Sequence, residues 1–229
     1  KFFKFIFSVS IIIIGVWLTF PSELTSAQKS AYTNAYFTTI MLTFGGISIG
    51  IVLGFILAFL NFLNIKILSF FIDEYIDIIR GTPVLLQLMI FAFVILATLS
   101  DNFYAAVIAL GLNSSAYVAE IVRSGINSVD RGQMEAARAM GLSYSVSMRL
   151  IIFPQAIKNI LPALANEFIS LFKETSVVGL IGIFDLTMQS KSLQATLFTP
   201  EPILFAGVVY YANVKLFSVM AKLLENRLN

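Results

Sequence analysis

The sequence predicts an all-α membrane protein whose chain crosses the bilayer several times. Two observations predict it. Of the 229 residues 58% are hydrophobic, with a mean hydropathy of +0.89, and a soluble domain has no way to bury that much apolar surface. The apolar residues also gather in runs of 16 to 25 positions broken by short polar turns. Helices of about 20 apolar residues are the segments that satisfy their own backbone in lipid.

Composition also excludes several kinds of function. The 15 Lys+Arg nearly balance the 13 Asp+Glu, so no global field draws nucleic acid. Without cysteine there is no disulfide, thiolate nucleophile or Cys-ligated metal. Without histidine the commonest general base and metal ligand is missing. No catalytic residue, metal site or cofactor is assigned.

The first run, residues 5–20, follows Lys1 and Lys4 and reads as an added helix or a signal segment, with Thr25-Ser26-Ala27 a poor cleavage site. Residues 21–30 read as a polar linker. The first strong span is 36–60, with Gly46, Gly50 and Gly54 four apart, the pattern of close helix packing. Gly45 and Gly50 are spaced like a phosphate loop, but no Lys-Ser/Thr follows, and the chain is not expected to hydrolyse ATP itself. After a turn at 61–66, residues 70–79 mix apolar positions with Asp73, Glu74 and Asp77, as an interfacial helix does. Arg80-Gly81-Thr82-Pro83 breaks it. Spans follow at 84–99, 103–121, 151–172 and 203–224. Residues 175–197 are semi-polar, a re-entrant or surface segment.

Between the third and fourth of these core spans lies a stretch that lipid does not hold. Arg131, Glu135, Arg138 and Arg149 return charge to the chain. Asp130 is placed to cap a helix whose third residue, Gln133, reaches back to it. That helix is about 10 residues, or about 15 Å, long. Gly141 ends it, being free to enter the left-handed region. Ser143 starts a second helix, and Pro154 bends or ends that one.

Orientation follows from the cations. Placing residues 123–149 inside puts Lys1, Lys4, Lys66, Arg80, Arg123, Arg131, Arg138, Arg149, Lys222 and Arg227 there, and leaves Lys29 and Lys191 outside.

Glu135-Ala136-Ala137, three residues, Gly141, nine residues, then Ile151-Ile152-Phe153-Pro154 resembles the EAA loop of permease subunits of bacterial ATP-binding-cassette importers. Phe153 stands where that pattern usually has Leu. Arg80-Gly81-Thr82-Pro83, Pro154-Gln155-Ala156, Asn166-Glu167-Phe168-Ile169 and Lys173-Glu174-Thr175-Ser176 resemble the branch that imports polar amino acids such as histidine, glutamine, arginine, cystine and opines.

The resemblance implies a type I importer transmembrane domain with five core helices, over residues 31–229. Residues 1–30 then form an added N-terminal hydrophobic helix and linker. It implies a multi-pass protein of the bacterial inner membrane with the EAA loop and C-terminus in the cytoplasm. The implied partners are an ATP-binding subunit that hydrolyses the ATP, a second permease subunit (identical or related), an external substrate-binding protein and the amino acid. Glu135, Ala136, Ala137 and Gly141 are the expected coupling residues. An ion-gradient transporter acting alone and a non-transporting scaffold are the rival readings, and neither gives a reason for the EAA-like loop.

Candidate substrate groups are polar residues inside spans. Asn159, Ala163, Asn166, Glu167, Ser170 and Glu174 recur at helical spacing as one stripe. A central carboxylate costs about 2.5–3.5 kcal/mol, so it is kept where it faces water, a partner or a ligand. Glu167 is the candidate for an ammonium or cationic side chain, with Asn166 and Ser170 beside it. The opposing reading pairs Glu167 with Lys158 or Lys173, or places it at a subunit interface. Thr82 and Arg80 line the path if the backbone opens there; otherwise they mark a plain helix break. Lys173-Glu174 is either an external gate or a boundary pair, and Lys215 either snorkels or pairs with Glu120.

Overall fold

The structure, a computed structural model, describes residues 2–63 and 65–228. Among these residues every regular element is helical. Lys1 and the side chain of Lys4, which enter the charge argument, lie outside the described residues.

Helix α1 (Phe2–Thr19) is followed after a short turn by α2 (Ser26–Phe62). The expected linker is therefore shorter than 21–30. Thr25 and Gln28 form a full capping box that starts α2 ten residues before the apolar run. At 37 residues α2 is about 55 Å long, and its polar first turns project beyond a hydrocarbon layer of about 30 Å.

The core is built on α2 and α5 (Asn102–Asn127), which share the most extensive contact in the fold. Gly46, Gly50 and Gly54 meet Leu110, Ser114 and Val118, and Gly111 meets Ile49. The paired numbers rise together, so the two helices run parallel. Ala105, Ala106, Ala109 and Ala116 are buried along α5 as well. The close packing expected from the glycine spacing is what holds this pair together.

Helix α3 (Lys66–Gly81) crosses α5, with Ile72 and Ile76 buried against Ala116 and Ala119. The axis then bends by 105° into α4 (Val84–Ile90), which a π-helical turn (Phe91–Ile95) prolongs. Proline and an extended Thr82 make the expected break. After α6 (Arg131–Ala139) and α7 (Tyr144–Ser147), a π-helical turn (Met148–Ile152) leads directly into α8 (Phe153–Glu174). Pro154 thus neither ends nor blocks the helix. It sits in the first turn of α8, where its missing N–H is not needed.

A 3₁₀ turn (Thr175–Ile181) then leads to α9 (Leu186–Leu197). This stretch is not a surface segment: Thr175, Val178, Ile181, Leu186, Ser190 and Leu193 are buried, and α9 packs between α2 and α10 (Glu201–Leu228). Asp185 caps α9, accepting from Thr187 N and Met188 N, while Leu186 N donates to Thr39 Oγ1. Helix α1 lies along α10, with Gly15 against Val208 and Phe20 edge-on to Phe205.

Among the described residues α2, α5 and α10 are each long and apolar enough to cross a membrane by length and composition, and the bent α3–α4 pair has the apolar length of a broken span or a re-entrant loop. Helix α8 has the length, at 22 residues, but carries the polar stripe.

Candidate functional site

Two regions carry the residues that the sequence marks. The first is α6 and its turn. Asp130 caps α6 through Gly132 N at 2.6 Å, while Gln133 N bonds the Asp130 carbonyl at 3.0 Å. The cap is therefore a simple one, since the Asp130 carboxylate is taken by the second helical residue rather than the third. At the other end Gly141 has φ +85. Leu142 N donates to Ala137 O and Gly141 N to Arg138 O, and Arg138 Nη1 closes on Leu142 O at 2.7 Å. This is the left-handed stop that needs glycine.

Within α6 the faces divide sharply. Ala137 is fully buried in its own chain, and Met134 packs beside Val129, Met148 and Ile151. Glu135, Ala136, Ala139 and Met140 face out. The sequence reading gave Ala136 and Ala137 the same role, and the structure separates them. Ala137 seats α6 on its own bundle, because residues one apart on a helix point about 100° away from each other. Glu135 and Ala136 remain available to a partner.

The second region lies along α5, where α3, α4 and α8 converge. At the break, Thr82 Oγ1 donates to Ile78 O, and Gln87 Nε2 donates to Thr82 Oγ1 at 2.9 Å and to Ile79 O at 2.7 Å. The backbone opened by the bend is thus covered by a buried glutamine. Asn113 Nδ2 on α5 in turn donates to Gln87 Oε1. Arg80 reaches Glu120 at 3.7 Å and lies over the Tyr117 ring. Glu120 is also bound by Arg123 at 2.6 Å, and Arg123 comes within 3.9 Å of Asp73. These four charges tie α3 to the last turns of α5, three residues before α6 begins. Lys215 takes no part; it lies over Tyr211.

On the other flank of α5, Glu167 is buried and Ser114 Oγ donates to its Oε1 at 2.7 Å. Its partner is therefore neither Lys158 nor Lys173. The hydroxyl comes from α5 because Gly50 lets α2 press Ser114 toward α8. Asn166 is exposed and Ser170 half-buried. The stripe is thus split: Glu167 is buried against Ser114 of α5, whereas Asn166 is exposed. Below them Glu120, Ser124, Ser128, Asn159 and Ala163 line a cavity of about 280 Å³, bridged by a 2.8 Å bond from Asn159 to Ser128.

Thr82, through Gln87, meets α5 on one flank and Glu167 meets it on the other, at neighbouring residues Asn113 and Ser114, while Arg80 meets α5 lower down at Tyr117 and Glu120. Sequence reading missed both partners, although three consecutive polar residues, Asn113 to Ser115, inside an apolar span were the available signal.

Known proteins are similar to this chain in sequence and in fold. The arginine transport system permease protein ArtQ of Bacillus subtilis is 41% identical over 184 residues, covering 79% of this chain and 84% of the relative. A putative glutamine transport system permease protein GlnP of Rickettsia typhi is 39% identical over the same shares. The crystal structure of an amino acid ABC transporter with histidines matches at 40% identity and a TM-score of 0.82, over 87% of this chain and 94% of that one. The MetNI methionine ABC transporter matches at 19% identity and a TM-score of 0.78, over 90% of this chain and 100% of that one, which is a likeness of fold. The model of the binding-protein-dependent transport system inner membrane component family matches residues 46–229, from the glycine face of α2 through the EAA stretch to α10, and the chain belongs to that family.

Proposed function

We propose that this chain is the membrane-spanning permease subunit of an ATP-driven importer of polar amino acids. It pairs with a second permease copy or relative, receives substrate from an external binding protein, and takes mechanical work from a separate ATP-binding subunit. It carries no phosphate loop of its own. The cations place α6 and the end of α10 in the cytoplasm. The names of the relatives, arginine and glutamine permeases, support a polar amino acid as cargo.

One observation carries the reading. Helix α6 is seated on its own chain by Ala137 and Met134, and presents Glu135, Ala136, Ala139 and Met140 outward. A nine-residue helix held on one side and bare on the other is built to fit a second protein. It joins the bundle through α5 and α8, which carry the polar groups just described.

The test is to purify the complex from membranes, look for a stoichiometric P-loop ATPase, and measure arginine and glutamine uptake in vesicles with and without ATP. ATP-dependent uptake is expected. Uptake that follows an ion gradient without ATP would establish the secondary transporter instead, and no uptake with no ATPase would establish a scaffold.

Within this reading Glu167 holds the cationic group of the substrate, with Asn166 and Ser170 on the adjoining face. Glu167→Gln keeps an oxygen for Ser114, so assembly is expected to be unchanged. Loss of one charge-assisted bond raises KM for a cationic amino acid by about tenfold or more, with a smaller effect for a neutral one. Wild-type uptake kinetics in the reconstituted variant would remove Glu167 from the path.

A further inference from the structure

We propose that the cavity between α5 and α8 is a second substrate station, where Glu120 receives the cationic group of an amino acid that Glu167 has released; this rests on the importer reading above. Helices α5 and α8 run antiparallel, since Ser114 meets Glu167, Gly125 meets Ile160 and Ser128 meets Asn159. Glu120 lies six residues beyond Ser114, about 9 Å along α5 toward α6. On α8, Ala163 lies about one turn from Glu167 in the same direction. The cavity of about 280 Å³ opens at that level, between Glu120 and Ala163, and runs past Ser124 and Gly125 to Ser128. It holds the volume of roughly nine waters at about 30 Å³ each, the small end of the range for a small-molecule site.

The Glu120 carboxylate is divided between two tasks. Its Oε2 is held by Arg123 at 2.6 Å and approached by Arg80 at 3.7 Å. Its Oε1 accepts from Ser124 Oγ at 3.1 Å, and Ser124 lines the cavity with it. A carboxylate oxygen accepts about two hydrogen bonds, so Oε1 has room for a second donor. Neither arginine lines the cavity, and among the described residues Glu120 is the one charged group that does.

The face is not one for acyl chains. Asn159 and Asn166 are exposed within the apolar run of α8, and carboxamides beside a carboxylate are costly against hydrocarbon. Water or cargo satisfies them. A guanidinium or ammonium group leaving Glu167 finds its next anionic acceptor at Glu120 Oε1, one charge-assisted bond replacing another. A neutral amino acid gains nothing from that step. The bond from Asn159 to Ser128 spans the end of the cavity nearer α6, two residues before Asp130 caps that helix.

Because the chain has no cysteine, one introduced thiol reports on the cavity. In the assembled complex in nanodiscs without ATP, Ser124→Cys is treated with a membrane-impermeant sulfonate-bearing thiosulfonate, and labelling of this chain is read by mass. The thiol is expected to react, and saturating arginine slows the reaction about tenfold or more, with a much smaller effect from glutamine. Adding Glu120→Gln keeps the labelling and removes the arginine effect, and Glu120→Asp restores part of it. In vesicles Glu120→Gln lowers kcat for arginine about tenfold and kcat for glutamine much less. No labelling, in Ser124→Cys or in Ser128→Cys, would mean that lipid or a second subunit fills the cavity and overturns the station. Equal protection by the two amino acids, or arginine protection that survives Glu120→Gln, overturns it too. Equal loss of kcat for both would reduce Glu120 to a structural tie between α3 and α5. Absence of ATP-dependent uptake by the wild-type complex overturns the importer reading itself, whatever the labelling shows.

Discussion

Gly54→Leu is expected to leave little folded protein in the membrane. A Cβ at residue 54 would lie 2.6 Å from Val118 Cβ and 2.8 Å from the Ser115 carbonyl oxygen. A side-chain obstacle can rotate away, whereas a backbone oxygen moves only with its helix. Helices α2 and α5 must therefore separate. Overpacking by single methylenes already costs about 1–3 kcal/mol, and leucine adds four carbons to a face that Gly50 holds just as close, at 2.6 Å. The separation also draws Ser114 away from Glu167, which breaks a buried bond on α8. The measurement is the monodisperse yield and Tm of the solubilised protein. Gly207→Ala is the control, since nothing lies within 4 Å of its added Cβ. A wild-type Tm for Gly54→Leu would contradict the packing argument.

The second large effect is on work transfer rather than stability. Gly141→Leu puts a β-carbon on backbone at φ +85, a left-handed conformation that costs about 1–2 kcal/mol for an ordinary residue. No other atom approaches that carbon, so the strain falls on the turn between α6 and α7, not on the bundle. Assembly and basal ATP hydrolysis are expected to persist, while uptake and stimulated hydrolysis fall by about tenfold or more, the scale of an ordinary coupling free energy. Gly141→Asn is expected to recover much of the loss, because Asn tolerates this region. Full uptake in Gly141→Leu would show that the set of α6 is not transmitted.

Local signals were legible in the sequence, and rotational ones were not. The glycines of α2, the break at Thr82-Pro83 and the stop at Gly141 each follow from one residue type and one backbone requirement. The start of α2 was also written in the chain, in Thr25 and Gln28, but the polar residues between them and Tyr36 read as a linker. Pro154 does not end the helix, because the backbone changes from π-helical to α-helical just ahead of it and the proline falls in the first turn of α8. Ala137 and Ala136 are chemically identical neighbours, and only the azimuth of α6 on the bundle decides which is buried. The partner of Glu167, and one of the partners of Glu120, come from elements far away in the chain. Opposite charge suggested Lys158 or Lys173 for Glu167 and Lys215 for Glu120, whereas tertiary packing supplied Ser114 and Arg80, and the i+3 neighbour Arg123 closed on Glu120.

The faces that hold α2 to α5 are made of glycine, alanine and serine, which changes what parting them means thermodynamically. In a bilayer the separated surfaces meet acyl chains, not water, so little ordered hydration is created. The heat-capacity increment that bends the stability curve of a water-soluble domain is then small, and cooling gives no route to dissociation. Lateral pressure and lipid chain length become the variables to which this pair responds, more than temperature or salt.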